Sequence, residues 1–153
     1  MMKKSNKTAF EAALSLLARR TQSEWEMRTK LKRKEYTASE IEETVKRLLS
    51  SHYINDDELA EEVFLYYREE RLYGDRYIHQ KLKARGLHSS CHLTREEEEE
   101  KAALTLQNKE KIIPGFSENY RKAAAYLFRR GFSPGTVSAV MQERGEADPF
   151  FEE

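Results

Sequence analysis

The chain has 153 residues, and its 27 basic side chains are balanced by 27 acidic ones, so its formal net charge is zero. Charged residues make up 35% of the chain, above the roughly 25% usual in soluble domains, which indicates long charged helix faces. The single cysteine, Cys91, excludes an internal disulfide and favours a reducing, cytoplasmic location. No run approaches the roughly 18 consecutive apolar residues of a membrane span, so no membrane partner is expected.

A first module of three helices is predicted over residues 7–53. A stripe of apolar residues at positions i, i+3, i+4 and i+7, starting at Phe10, predicts its first helix. The sequences Ser-Glu-Trp-Glu at 23–26 and Thr-Ala-Ser-Glu at 37–40 have the form of capping boxes, which start helices. These two boxes place the beginnings of the second and third helices.

A second module is predicted over residues 54–93. Its first helix has a stripe that runs through Leu59, Val63, Tyr66 and Tyr67. Its second helix ends before Gly86, which suits a left-handed residue just past a helix. The residues that follow Gly86 carry few apolar side chains at helical spacing. The third helix of this module is therefore expected to be shortened.

A third module is predicted over residues 94–145. Another capping box at 94–97 starts its first helix, and Pro114-Gly115 stops it. Gly131 then takes the position that Gly86 has in the second module, and Ser133-Pro134 has the form of an N-cap followed by proline at the first helical position. The acidic residues 146–153 are expected to form a disordered tail.

One phrase recurs in all three modules, at residues 31–36, 82–87 and 127–132. Each copy reads leucine, two residues, a basic residue, one residue and an apolar residue, and the copies are 51 and 45 residues apart. Similarity at such a period indicates stacked supersecondary units. We therefore predict an all-α fold of tandem three-helix, helix-turn-helix-like modules in an elongated array that suits binding along another polymer.

A positively charged surface strip is predicted to recur once in each module. Residues 19–36 carry seven basic and three acidic side chains, and Trp25 shares a helix face with two of the cations, away from the apolar stripe. Tryptophan and arginine are common anchors of binding interfaces. The predicted partner-binding or DNA-binding residues are Trp25, Arg28, Lys32, Arg33, Arg76, Lys83, Arg85, Arg129 and Arg130.

Several alternatives to this strip stay open at the level of sequence. The cations could form an ordinary solvated face whose aliphatic stems cover apolar surface. Trp25 could pack on a neighbouring module, and Arg130 could hold carbonyl groups at the end of its own helix. Zero net charge and the absence of an evident base-reading set disfavour a sequence-specific DNA reader.

Neither a metal site nor catalysis is predicted. His88, Cys91 and His92 lie close in sequence, but a structural zinc site needs four ligands, usually as two pairs, and no second pair follows. The chain also has no P-loop and no glycine pattern of a nucleophile elbow. We expect a protein that is not an enzyme and that uses no cofactor, metal or small-molecule substrate.

The order of these motifs resembles the RecX family of regulatory proteins. The resemblance rests on Leu-Leu-Ala-Arg-Arg at 16–20, Ser-Glu-Trp-Glu-Met at 23–27, Tyr-Ile-Asn-Asp at 53–56, and the second and third copies of the repeated phrase. It covers roughly residues 10–142. The family normally has a full helix after the second glycine, and residues 87–93 leave little room for one.

This resemblance implies a curved, all-helical molecule that binds the RecA recombinase filament on DNA. It implies inhibition of the ATPase and strand-exchange activities of that filament, in recombination, DNA repair and the SOS response. The alternative is a stand-alone helical DNA-binding protein that acts through its basic strip.

Overall fold

The computed structural model describes residues 6–143, and within them every regular element is helical, which confirms the predicted all-α class. The predicted acidic tail, 146–153, lies outside the described residues. The α-helices are α1 (Ala9–Arg19), α2 (Glu24–Arg33), α3 (Ala38–Ser50), α4 (Asp56–Glu70), α5 (Asp75–Ala84), α6 (Arg95–Ile112), α7 (Tyr120–Arg129) and α8 (Pro134–Glu143). A 3₁₀ turn, Phe116–Glu118, lies between α6 and α7.

Side-chain caps start most of these helices where the sequence predicts them. The three predicted capping boxes, at the starts of α2, α3 and α6, are all formed. A fourth box, in which Thr8 and Glu11 cap α1, has the same sequence form and was not predicted. The Ser133 hydroxyl accepts a hydrogen bond from the Thr136 N–H at the start of α8, as the Ser-Pro pair indicates.

The described chain divides into two compact units, with boundaries inside α4, inside α5 and between residues 89 and 90. The first unit comprises residues 6–62 and 82–89, and the second comprises 63–81 and 90–143. The predicted division into three modules stays a prediction. Residues 85–94, where a shortened helix was expected, contain no helix.

Each unit has an apolar core. The core of the first unit includes Met27 and Leu31 of α2 together with Val45 and Leu48 of α3, all fully buried. The core of the second unit is built from α6, α7 and α8 around the fully buried Phe132. Burial of one such large side chain contributes roughly 1.5–3 kcal/mol, so each core provides the main favourable term for its own unit.

Two predicted apolar stripes are confirmed only in part. On α1 the buried residues are the alanines at 9, 12 and 13, which include Ala13 of the predicted stripe, whereas Leu14 of that stripe is 37% exposed. On α4 Leu59 of the predicted stripe is buried, as is Phe64 beside it, and Tyr66 is half exposed. The alanine face lets α1 approach its neighbours closely, and a tyrosine can leave its hydroxyl in water, so the largest apolar residues do not define these faces.

The repeated phrase forms the same helix end three times. After α2, α5 and α7 the chain passes through a left-handed residue, with φ of 68° at Glu35, 73° at Gly86 and 89° at Gly131. The N–H of the next residue donates to the carbonyl of the leucine that begins the phrase, over 3.3, 2.9 and 3.2 Å respectively. This is a Schellman motif, in which the apolar residue after the turn packs back on the leucine.

The helix ends of α5 and α7 each dock on the start of another helix within their own unit. In the first unit the Ser23 hydroxyl at the start of α2 donates to the carbonyl of Arg85 at the end of α5. In the second unit the Gly74 N–H at the start of α5 donates to the carbonyl of Arg130 at the end of α7, over 2.8 Å. We call this arrangement the helix-end joint, and the chain builds it once in each unit.

Glycine at position 131 is required by both conformation and space. Its φ of 89° is unfavourable for any residue with a side chain, and an added Cβ would lie 2.5 Å from the backbone nitrogen and the Cβ of Tyr77. No relaxation of a flexible side chain relieves that contact, because one of the two atoms belongs to the backbone.

Gly131→Ala is therefore expected to lower the free energy of unfolding by about 3 kcal/mol or more, through left-handed strain and steric overlap. Gly135→Ala is the matched control, because a Cβ there has nothing within 4 Å. It should leave stability unchanged or raise it by about 0.5–1 kcal/mol. Urea unfolding followed by circular dichroism measures both, and equal effects of the two variants would contradict the joint.

Candidate binding surface

The start of α2 is organised by the carboxylate of Glu26, which is only 7% exposed. It accepts a hydrogen bond from the Ser23 N–H at 3.0 Å and closes the capping box. It also accepts hydrogen bonds from the guanidinium groups of Arg85, at 2.9 Å, and Arg20, at 2.7 Å. Two arginines thus neutralise one buried carboxylate at the helix-end joint of the first unit.

The net effect of these contacts is to hold the pKa of Glu26 below its ordinary value of 4.5. Burial works in the opposite direction, since it disfavours the charged form. The hydrogen bonds from Arg85 and the Ser23 N–H, together with the charges of Arg85 and Arg20, outweigh it. The carboxylate is therefore ionised in the folded protein at neutral pH.

Arg85, a predicted partner-binding residue, is held within the fold. Besides its contacts with Glu26, its guanidinium donates to the carbonyl of Thr21 at 2.9 Å. Arg28 is also paired, with the carboxylates of Glu24 at 3.3 Å and Glu42 at 2.8 Å. Its more exposed pairs are weaker than the Glu26 network, because water and salt screen them.

Trp25 has both a packed part and an exposed part. A Cβ placed on Gly86 would lie 2.5 Å from the Trp25 Cβ, so the base of the side chain is pressed against the helix-end joint. The residue is nevertheless 53% exposed. The packed base of the side chain fits the alternative packing role, and the contact role of its exposed part stays a prediction.

Three predicted cations of the first unit stand in solvent. Lys32 and Arg33, on the last turn of α2, and Lys83, on the last turn of α5, are all exposed. Within residues 6–143 none of their side chains forms a hydrogen bond or an ion pair. Their charges are available to a partner without breaking any contact of the fold.

The second unit repeats the division between held and available cations. Arg130 donates from Nη2 and Nε to the carbonyl of Leu72, at 2.9 and 3.2 Å, and lies over the ring of Tyr73 at 4.3 Å. Arg76 donates to the carbonyl of Phe128 at the end of α7. Arg129, next to Arg130, is exposed, and its side chain makes no hydrogen bond or ion pair with the described residues.

The held arginines occupy equivalent places in the two units. Arg85 and Arg130 are the basic residues of the second and third copies of the repeated phrase, and each reaches a carbonyl that precedes a helix start. Those carbonyls belong to Thr21 and Leu72, which are 51 residues apart, the same spacing as the first two copies of the phrase. Arg130 thus holds a distant carbonyl rather than one of its own helix.

A cluster that was not predicted lies at the start of α5. Asp75, His79 and His92 have ligand atoms that all lie within 4.8 Å of one another. Asp75 and His79 are four residues apart on one helix, a spacing that places them on the same face and that is visible in the sequence. In the sequence, His92 is close only to His88 and Cys91, and its approach to Asp75 arises from the fold.

Comparison with known proteins places these features in a family. A family model described as RecX, first three-helix domain, matches residues 9–48. The Regulatory protein RecX of Pasteurella multocida is 30% identical over 136 residues, which cover 82% of this chain and 81% of that protein. The chain belongs to the RecX family. The Regulatory protein RecX of Actinobacillus pleuropneumoniae serotype 5b is 35% identical over 83 residues, or 54% of each protein, so the alignment spans about half of that relative.

Solved RecX structures share the fold. The crystal structure of RecX from Lactobacillus salivarius superposes with a TM-score of 0.75 at 20% identity, over 88% of this chain and 93% of that one. A second structure, of regulatory protein RecX, gives a TM-score of 0.73 at 23% identity and covers 88% and 71% of the two chains. In residues 6–143 of the chain, no helix has the length and apolar character needed to cross a membrane.

Glu26→Gln tests the network at the start of α2. The variant keeps the shape of the side chain but removes the charge that two arginines face, and we expect it to lower the free energy of unfolding at neutral pH by about 2–3 kcal/mol. The folded-state pKa lies below the unfolded value of 4.5, so the wild-type advantage is complete above 4.5 and is lost as pH falls through the folded pKa.

Urea unfolding of both proteins, from about pH 7 down to about pH 3, measures this advantage. Glu43→Gln, at an exposed glutamate on α3, is the control and should leave the unfolding midpoint unchanged. A wild-type advantage over Glu26→Gln that stays constant across the whole pH range would contradict the network.

Proposed function

We propose that this RecX-family protein binds the filament that a RecA-type recombinase forms on DNA and lowers the ATPase and strand-exchange activities of that filament. It acts by binding, without catalysis of its own and without a cofactor, in the cytoplasm. The observation that carries the proposal is the division of the predicted cations into held and available groups. Family membership supports the identity of the partner.

The available group consists of Lys32, Arg33, Lys83 and Arg129, and the exposed ring of Trp25 accompanies it. Exposed cations that make no contact within the fold add no measurable stability to it, because water already solvates them. A charged partner such as an acidic protein surface or a phosphate backbone can pair with them at no cost to folding. We propose that these five residues contact the filament.

The held group consists of Arg28, Arg76, Arg85 and Arg130. Each already satisfies carboxylates or carbonyl groups of its own unit. Contact with a partner through these guanidinium groups would compete with those bonds, and at Arg85 and Arg130 it would leave a part-buried acceptor without its donor. We propose that they position the neighbouring surface and do not provide most of the binding energy.

Repetition of the basic phrase favours a polymeric partner. Once one part of the chain is bound to a filament protomer, binding of the next part is intramolecular and gains a high effective concentration. Bound across protomers in this way, the chain would hinder the rearrangements that accompany ATP turnover. Inhibition then requires no chemistry from the bound protein.

A stand-alone DNA-binding function is the rival, since the same cations can contact phosphates. The two functions differ in how they respond to salt. Binding that is dominated by phosphate contacts weakens steeply as salt rises, whereas a contact that is mostly between proteins weakens less.

The single-stranded-DNA-dependent ATPase of a bacterial RecA-type recombinase, titrated with this chain, tests the proposal. Half-maximal inhibition is expected below one chain per recombinase protomer. Lys32→Ala should raise the half-inhibitory concentration about threefold to tenfold, through loss of one charge contact. Lys46→Ala, at an exposed lysine on α3 of the same unit, is the matched control and should have no effect.

Two results would contradict the filament function. The first is an unchanged ATPase at equimolar protein combined with tight, salt-sensitive binding of the chain to DNA alone, which would favour the rival. The second is equal weakening by Lys32→Ala and Lys46→Ala, which would mean that the position of the available cations is irrelevant.

A further inference from the structure

We propose that Asp75, His79 and His92 form a binding site for a divalent transition metal ion, with Zn²⁺ as its representative ligand. Their ligand atoms lie within 4.8 Å of one another, and all three residues belong to the second unit. Asp75 Oδ2 is 2.7 Å from His92 Nδ1 and 3.5 Å from His79 Nε2. One carboxylate oxygen is thus the common neighbour of two imidazole nitrogens.

Local structure brings these three side chains together. Asp75 is the first residue of α5, and His79 lies one turn later on the same helix face. His92 belongs to the non-helical residues 85–94, and the buried Leu93 beside it anchors that stretch. The Leu93 N–H donates to Asp75 Oδ1 at 2.7 Å, which fixes the carboxylate and leaves Oδ2 to the histidines.

The distances between ligand atoms suit a small four-coordinate ion. With metal–ligand bonds of about 2.0–2.1 Å, two ligands of a tetrahedral ion lie about 3.3 Å apart. The observed separations of 2.7 and 3.5 Å lie on either side of that value. The third separation, between the two imidazole nitrogens, lies within 4.8 Å, and the His92 side chain is 63% exposed and thus has room to move toward a shared ion.

The donor set indicates the class of metal. Two imidazole nitrogens and one carboxylate oxygen favour Zn²⁺ and its neighbours in the first transition row, whereas Ca²⁺ and Mg²⁺ prefer oxygen ligands throughout. The exposed side of His92 leaves a fourth position open to water. The Leu93 N–H on the second carboxylate oxygen is the kind of outer contact that orients a metal ligand.

Metal binding would replace contacts that the cluster already makes. His79 Nε2 lies 3.0 Å from the carbonyl of Cys91, and the His79 and His92 rings are stacked with centroids 4.5 Å apart. An ion that takes Nε2 of His79 removes the first contact and retains the proximity of the two rings. It would tie the start of α5 to residues 90–93 and stabilise the second unit in proportion to its affinity.

Titration of the full chain with Co²⁺, followed by the visible absorption of tetrahedral cobalt, tests the site, and Zn²⁺ should displace the signal. We expect saturation near one ion per chain, and a rise in the midpoint of thermal unfolding with Zn²⁺. His92→Ala, at an exposed position where loss of folding is not expected, should weaken binding at least tenfold. His88→Ala, also exposed and four residues earlier, is the matched control and should bind like the wild type.

Three results would overturn the site. One is the absence of a tetrahedral cobalt spectrum at Co²⁺ concentrations well above that of the protein. Another is binding by His92→Ala that equals that of the wild type. The third is Co²⁺ binding that survives in Asp75→Asn and shows a thiolate-to-cobalt absorption band, which Cys91→Ser removes. The ion would then be bound by the local run of His88, Cys91 and His92.

Discussion

The left-handed turn at the end of α5 and α7 is the constraint on which the other contacts depend. A residue with positive φ at 86 or 131 turns the next apolar side chain back onto its helix. The carbonyl of the residue before it then accepts a hydrogen bond from the start of another helix. Ser23 uses that carbonyl in the first unit and Gly74 uses it in the second. The lack of a Cβ at both glycines allows the chain to come this close.

The helix-end joint also determines which basic side chains are bound within the fold. The basic residue before each glycine, Arg85 or Arg130, donates a hydrogen bond to a carbonyl that lies just before the docked helix. Its neighbours in the repeated phrase, Lys83 and Arg129, face solvent. Neighbouring basic residues in one phrase therefore differ in whether the fold already binds their side chains, so a basic sequence repeat does not by itself define an exposed strip.

The sequence was sufficient to predict the features set by local chemistry: the all-α class, three capping boxes and the glycine turns. It did not reveal the left-handed conformation of Glu35, because only its place in the repeat, and not its residue type, indicates it. The pairing of Glu26 with Arg85 joins residues 59 positions apart and depends on how the helices pack. The approach of His92 to Asp75 depends in the same way on the path of residues 85–94.

The proposed function requires that the available cations contact a recombinase filament. Lysine acylation followed by mass spectrometry, on the chain alone, with single-stranded DNA, and with the filament, measures this contact at Lys32 and Lys83. Lys32 and Lys83 should lose reactivity only when the filament is present, while Lys46 on α3 keeps its reactivity throughout. Equal reactivity of Lys32 and Lys83 with and without the filament would contradict the account, and protection by DNA alone would favour the rival function.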